Sequence, residues 1–410
     1  MRQRILLFVG VAAVIIAVAV LLKLVPGQAP TGAATTGTAA NSGPAPKTSW
    51  GEPDLQGLWS DEYQIPLQRP AKYAGKEFFT DAEIAVLDKE RAAKPSFGEK
   101  RGEKGTERDV AGAYNSEVFT TRRHTGRRTS LIVDPPDGRI PPVTSEVTKR
   151  RAEIREWQLA LIQATDTCKN KWRGCEGGKY TGVPSPRRNE PYKYYPFANI
   201  GAVNRADGPE DHGLGMRCLS AILPDFGSGA SGFWQIVQAP GAVSIFYDTG
   251  QGQGWHRNIP VDGSPHLPSS IRLWWGDSRG HWEGNTLVVD VTNFSGKTNF
   301  RGSTDNLHLI ERWTRTGPET VEYKVTMDDP TTWTKPWTVV QEYSKQSDQF
   351  NRIYKEPRCV EGNYSIFGWL AGARAKEQAF AEGRAPDPGT INYATETNSA
   401  LDDEDLDDLQ

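Results

Sequence analysis

From Trp274 to Tyr343 apolar and polar residues alternate in short runs separated by turn residues. Leu287 to Val291, Leu307 to Trp313, Val321 to Val325 and Trp337 to Gln341 each have the period-two pattern of a half-buried strand. Glu283-Gly284-Asn285, Thr316-Gly317-Pro318 and Asp328-Asp329-Pro330 supply the turns between them. Phe233 to Gln238 and Ala242 to Asp248, joined by Pro240-Gly241, extend the same grammar upstream. About eight strands in such a meander are enough to close a small barrel, or to stack as a sandwich. The expected fold is therefore α+β and mainly antiparallel β, with two to three peripheral helices.

The helical period appears three times. Thr80-Asp81-Ala82-Glu83 is a capping box ahead of Ile84 and Leu87. From Thr144 to about Thr165, Val147, Arg151, Ile154, Trp157 and Leu161 fall at helical spacing beside a charged face, which predicts a surface helix. A last helix is expected over 366–383, from about Gly368 to Glu382. Ser130 to Val133 reads as a strand stopped by Asp134-Pro135-Pro136-Asp137-Gly138, and Gly98 to Gly112 as an exposed loop. Residues 177–230 are rich in Pro, Gly and aromatics and predict no regular element. Gly57-Leu58-Trp59 has the Gly-x-Trp form that opens the first strand of lipocalin-type barrels, so the barrel is lipocalin-like at most; ring packing over a glycine accounts for it equally well.

Arg2 and Arg4 precede an uncharged apolar run from Ile5 to Leu22. At helical rise that run is roughly 27 Å long, close to the hydrocarbon thickness of a bilayer. Residues 1–25 are thus expected to be a signal-anchor or a signal peptide, with the basic end cytoplasmic and the rest exported. A flexible Gly/Ala/Thr/Pro linker follows over 26–49. The globular domain is expected over 50–385, with a helical and loop part at 50–230 and the β meander at 231–347. Residues 386–410 form an acidic tail that reads as disordered and open to protein partners. The net charge of −3 owes much to Asp402, Asp403, Glu404, Asp405, Asp407 and Asp408. The remainder is near neutral and has no basic stripe, which excludes nucleic acid as a partner.

Four cysteines in an exported chain predict disulfides. Cys168 and Cys175 flank a short polar loop and are placed to pair locally. Cys218 and Cys359 would then join the start and end of the β region, with the other two connectivities open. No Cys-x-x-Cys, His-x-His or His-Glu-x-x-His occurs, and neither a metal nor a cofactor is indicated.

Gly276-Asp277-Ser278-Arg279-Gly280 matches Gly-x-Ser-x-Gly, but a nucleophile elbow needs a helix after the serine. Here a turn and another strand follow, so the stretch reads as a polar β-turn. A metal site would have to be assembled from distant segments, with His256, His266 and His281 converging at one barrel end and Asp277 or Asp262 as carboxylate partners; lone loop histidines more often cap backbone groups or face solvent. Along the strand from Leu307 to Arg315, His308, Ile310 and Arg312 share one face, and Leu309, Glu311 and Trp313 the other. One ionisable group must then face the interior and find an ion-pair partner or a ligand. Trp275, Trp282 and Trp313 mark the face where flat rings could line a pocket.

The run Trp275-Gly276-Asp277-Ser278-Arg279-Gly280-His281-Trp282-Glu283-Gly284-Asn285-Thr286-Leu287-Val288-Val289-Asp290 resembles a large family of exported bacterial proteins of unassigned function. The likeness continues through Thr292-Asn293-Phe294, Asn306-Leu307-His308-Leu309, Glu311-Arg312, Asp329-Pro330 and the upstream Arg128 to Arg139, and spans about residues 53–375. The resemblance implies an exported protein. Cys218 and Cys359 fall on family cysteine positions, which favours their pairing. Many relatives carry His where this chain has Val360, so no acid–base or ligand role passes to that position.

Three functions fit these readings. The first is a membrane-tethered periplasmic barrel that binds a small aromatic or sugar-like ligand through Trp275, Arg279, Trp282, His308, Glu311 and Trp313. The second is an exported hydrolase or lyase using His281 or His308 beside Asp277 or Glu311. The third is an envelope scaffold.

Overall fold

The computed structural model describes residues 46–61, 63–93, 124–172, 174–195, 203–219, 223–226, 233–250, 253–346 and 364–392. The apolar run Ile5 to Leu22, the loop at 98–112, Cys359 and residues 393–410 of the acidic tail lie outside them. The start of the tail, expected to be disordered, instead forms a 3-10 turn at Pro388–Thr390, and Asn392 Nδ2 donates to Thr167 Oγ1. No helix among the described residues is long and apolar enough to cross a membrane.

The chain enters with β1 (Gly57–Ser60), β2 (Tyr63–Gln64), helix α1 (Asp81–Ala93), β3 (His124–Thr125) and β4 (Ile132–Asp134). Helices α2 (Ser145–Ile162) and α3 (Asp166–Lys169) follow. Then come β5 (Phe233–Ala239), β6 (Ala242–Gly250), β7 (Gln253–Pro260), β8 (Asp277–Glu283) and β9 (Thr286–Thr292). The last elements are β10 (His308–Gly317), β11 (Thr320–Asp328), β12 (Trp337–Lys345) and helix α4 (Tyr364–Ala381). The capping box is formed: Glu83 N–H donates to Thr80 Oγ1 and Thr80 N–H to Glu83 Oε2. Thr144 caps α2 through a bond from Val147 N–H.

Nine strands form a nearly closed antiparallel barrel in the order β7-β6-β5-β1-β12-β11-β10-β9-β8, with β4 added against β12. This is one strand more than the predicted count. The strands without a predicted counterpart are β7, β8 and β1, and β1 joins two separate meanders: Trp59 pairs with Trp234 of β5 on one side and Lys345 of β12 on the other. Tight turns at Gly241 and Gly284, both at positive φ, join β5 to β6 and β8 to β9. The expected turn at Gly276 to Gly280 is instead the start of β8, and only Gly276 keeps a left-handed φ, +65°. Its pattern hid the strand because Asp277 and Arg279 bond a covering loop rather than facing open water.

The β7–β8 seam closes through side chains. Arg257 Nε donates to Ser278 Oγ at 2.9 Å, and a Cβ on Gly280 would lie 3.0 Å from Ile259 Cγ2. Inside, aromatic rings stack in a layer. Trp234 and Tyr343 centroids are 4.2 Å apart, Trp313 and Tyr323 4.3 Å, and Trp313 and Tyr343 5.9 Å. Phe300, Trp333 and Trp337 form a second group of rings. Leu223, after which Pro224 is cis, joins the same core.

Cys168 and Cys175 are bonded to each other. Cys218 is also disulfide-bonded, and its expected partner Cys359 lies outside the described residues.

Candidate functional site

Alternation along β10 decides which chemistry is shared. His308 points outward and Glu311 inward, so the candidate residues divide between two faces of one wall.

On the outer face, β8, β9 and β10 bring Asp277, Asp290 and His308 into line, and the loop between β7 and β8 lays His266 over them. His308 Nε2 donates to Asp290 Oδ1 at 3.1 Å. The same carboxylate oxygen lies 3.1 Å from His266 Nε2, and the other ring nitrogen, Nδ1, lies 2.7 Å from Asp277 Oδ2. Arg279 Nη1 is 2.9 Å from Asp277 Oδ1, which completes a chain of five ionisable groups. Both His266 contacts are hydrogen bonds only when the ring carries two N–H groups. The loop is fixed by further bonds: Leu267 N–H to Asp277 Oδ2, Asn293 Nδ2 to Leu267 O, and Arg279 Nε to Pro265 O.

Exposure grades along the chain. The Asp277 side chain is 4 % exposed, whereas His308 and Asp290 are each 38 % exposed. The hydrogen bond to Asp290 raises the His308 pKa above its usual value. The reciprocal bond lowers Asp290 against a smaller opposing effect of burial. The pair therefore favours an ionised carboxylate beside an imidazolium. Among the described residues no cluster of His, Cys, Asp or Glu has metal-site geometry.

On the inner face, Glu311 Oε2 meets Arg257 Nη1 at 2.7 Å, and both side chains are buried. Tyr323 Oη donates to Glu311 Oε1 at 2.8 Å, and Arg257 Nη1 donates to Tyr247 Oη at 3.2 Å. Burial pulls Arg257 down, but Glu311 and Tyr247 outweigh it and hold the guanidinium above its ordinary pKa. Burial, then Glu311, pushes the Tyr323 phenol well up. Arg257 Nη2 and the indole N–H groups of Trp234 and Trp313 have no hydrogen-bond partner.

No family model and no curated protein matches this chain.

The anticipated partners are thus rearranged. Asp277 pairs with His266, one of the couples the sequence suggested, while His256 and His281 stand apart from it. His281 faces solvent beside Glu283 at 3.1 Å. Glu311 shares no contact with His308 and finds its cation across the barrel rather than on an adjacent strand. Ser278 is buried, accepts from Arg257, and lies within a strand, so the elbow geometry is absent. Trp275, Trp282 and Trp313 pack with the interior, away from Arg279 and His308. The sequence reading missed Asp290, which stood inside a strong strand signal, and Arg257, which stands in a strand that was not foreseen. Period two could have flagged Asp290: it is the polar interruption between Val289 and Val291.

Proposed function

We propose that this protein is an exported, membrane-tethered barrel that performs acid–base chemistry on a small organic substrate, as a hydrolase or lyase working on the outer face of β8 to β10. The observation that carries this reading is a single carboxylate, Asp290, held between two imidazoles, with His308 accessible to solvent. In its neutral form, at pH above its raised pKa, His308 donates Nε2–H to Asp290 and presents Nδ1 to accept a proton from water or from an activated C–H. The carboxylate stabilises the resulting imidazolium. His266 and Asp277 hold Asp290 and the loop in place. The apolar run Ile5 to Leu22 and the family resemblance support export and tethering, with the domain in the periplasm, or free there if the signal is cleaved.

The test is turnover of chromogenic esters, phosphates and glycosides, and of a polyuronate for lyase products, by the full chain and its His308→Asn variant. An activity that falls about 10²–10⁴-fold in the variant, with an unchanged melting temperature, supports the reading. Absence of turnover across the panel, or turnover indifferent to the substitution, overturns it.

A ligand-binding reading of the interior rests on a different observation, the unmet polar atoms of Arg257, Trp234 and Trp313. Buried polar atoms without partners are costly, and a polar ligand would satisfy them. Native mass spectrometry of protein purified from the exporting compartment decides it. A co-purifying organic mass lost in Arg257→Met favours a bound ligand; bare protein removes the idea.

A further inference from the structure

Outside the barrel, α2 and the segment at 184–195 enclose a groove of about 250 Å³ that neither reading uses. Its volume is just under the roughly 300–1,000 Å³ of pockets for drug-sized ligands, so it suits a small head group. Trp157, Tyr192 and Tyr194 supply its aromatic walls. Trp157 and Tyr192 meet edge to face, with centroids 5.3 Å apart and planes at 62°, and so form a concave corner.

The corner is built on buried chemistry. Asp211 accepts from Tyr192 Oη at 2.6 Å and from Arg205 Nε at 2.9 Å, and its side chain is 2 % exposed. The Arg205 guanidinium lies 4.6 Å from the Tyr192 centroid and 5.5 Å from that of Trp157. The rings therefore stand in a fixed orientation before any ligand arrives.

Charge selects the occupant. Glu153, Glu156 and Glu190 line the groove, against Arg187 and Lys193. Arg187 lies 2.9 Å from Glu156 and 3.0 Å from Glu190, and Lys193 pairs with Glu153. Two cations thus serve three carboxylates, which leaves one negative charge over aromatic walls. That combination attracts a cation whose charge is spread over apolar surface, because ring quadrupoles and a carboxylate both favour it.

We propose that this groove is a second ligand site, for an organic cation of the alkylated or quaternary ammonium class. Calorimetric titration of the full chain with choline tests it, alongside the uncharged dimethylbutanol isostere. Choline is expected to bind at roughly millimolar or tighter, and the isostere about tenfold more weakly, for want of the cation–π attraction. Tyr194→Ala and Glu190→Gln should each weaken choline. Glu190 lies in an exposed pair, so its variant keeps the test valid if Tyr194→Ala fails to fold. Equal binding of the two probes, no heat with choline, or affinity unchanged in Glu190→Gln overturns the proposal.

Discussion

The bond from His308 to Asp290 and the isolation of His212 give two histidines opposite responses to acid. His308 has a raised pKa in the folded state. Its contribution to stability is complete below the unfolded value of about 6.5 and is lost as pH rises through the folded one. NMR titration of the ring should place its midpoint above that of a free histidine, and Asp290→Asn should bring it down. His212 is 4 % exposed, with neither ring nitrogen hydrogen-bonded and the Trp369 ring 3.9 Å away. Burial, with Arg217 adding to it, lowers its pKa against the attraction of Asp211. The fold therefore favours the neutral ring, and stability falls as pH drops below about 6.5 towards the folded value. His212→Leu should flatten that acid limb of the melting-temperature profile. A slope identical to wild type would show that other groups produce it.

At the scale of elements, the pairing of β10 with its neighbours turns one strand into two environments. Removing one member of the Arg257–Glu311 pair leaves a buried charge, so Arg257→Met alone should cost about 3–5 kcal/mol in denaturant unfolding. Arg257→Met combined with Glu311→Leu should recover most of that loss; no recovery would mean that the pair does not act as a unit. The hairpins were legible because β9 to β12 carry their alternation and their turns in one continuous stretch. α1 and α2 were legible because Thr80 and Thr144 mark where they begin. β7 and β8 were not, since Arg257, Ser278 and Gly280 put polar or small residues on the buried face and so invert the usual pattern. The candidate site was half legible. His308 and the His266–Asp277 couple stood out as chemistry, but Asp290 joined them only once register aligned three strands. No period in a one-dimensional sequence carries that alignment.

For the whole molecule, barrel closure depends on four residues that the sequence sets far from every other wall strand. Trp59 is fully buried, its Nε1 donates to Leu55 O at 2.9 Å, and the Arg315 guanidinium lies 5.1 Å from its ring. Trp59→Ala should cost about 3–5 kcal/mol. Because β1 bonds both meanders, the loss should appear in both at once, as one cooperative transition rather than two. Hydrogen exchange would check this: protection lost together in β5 and β12 is expected, whereas loss in β5 alone would mean that the meanders hold independently.

The position of β1 also sets an order of events. A ribosome makes Trp59 long before Trp234 and Lys345, its two lateral neighbours. The earliest wall strand can pair with β5 once that strand is made, but its other edge must wait, open, until β12, the last wall strand, has been synthesised. Contacts so distant along the chain make for slow folding, and an open strand edge meanwhile invites wrong partners. The fold that ends with almost no free edge thus passes through a period in which it has several.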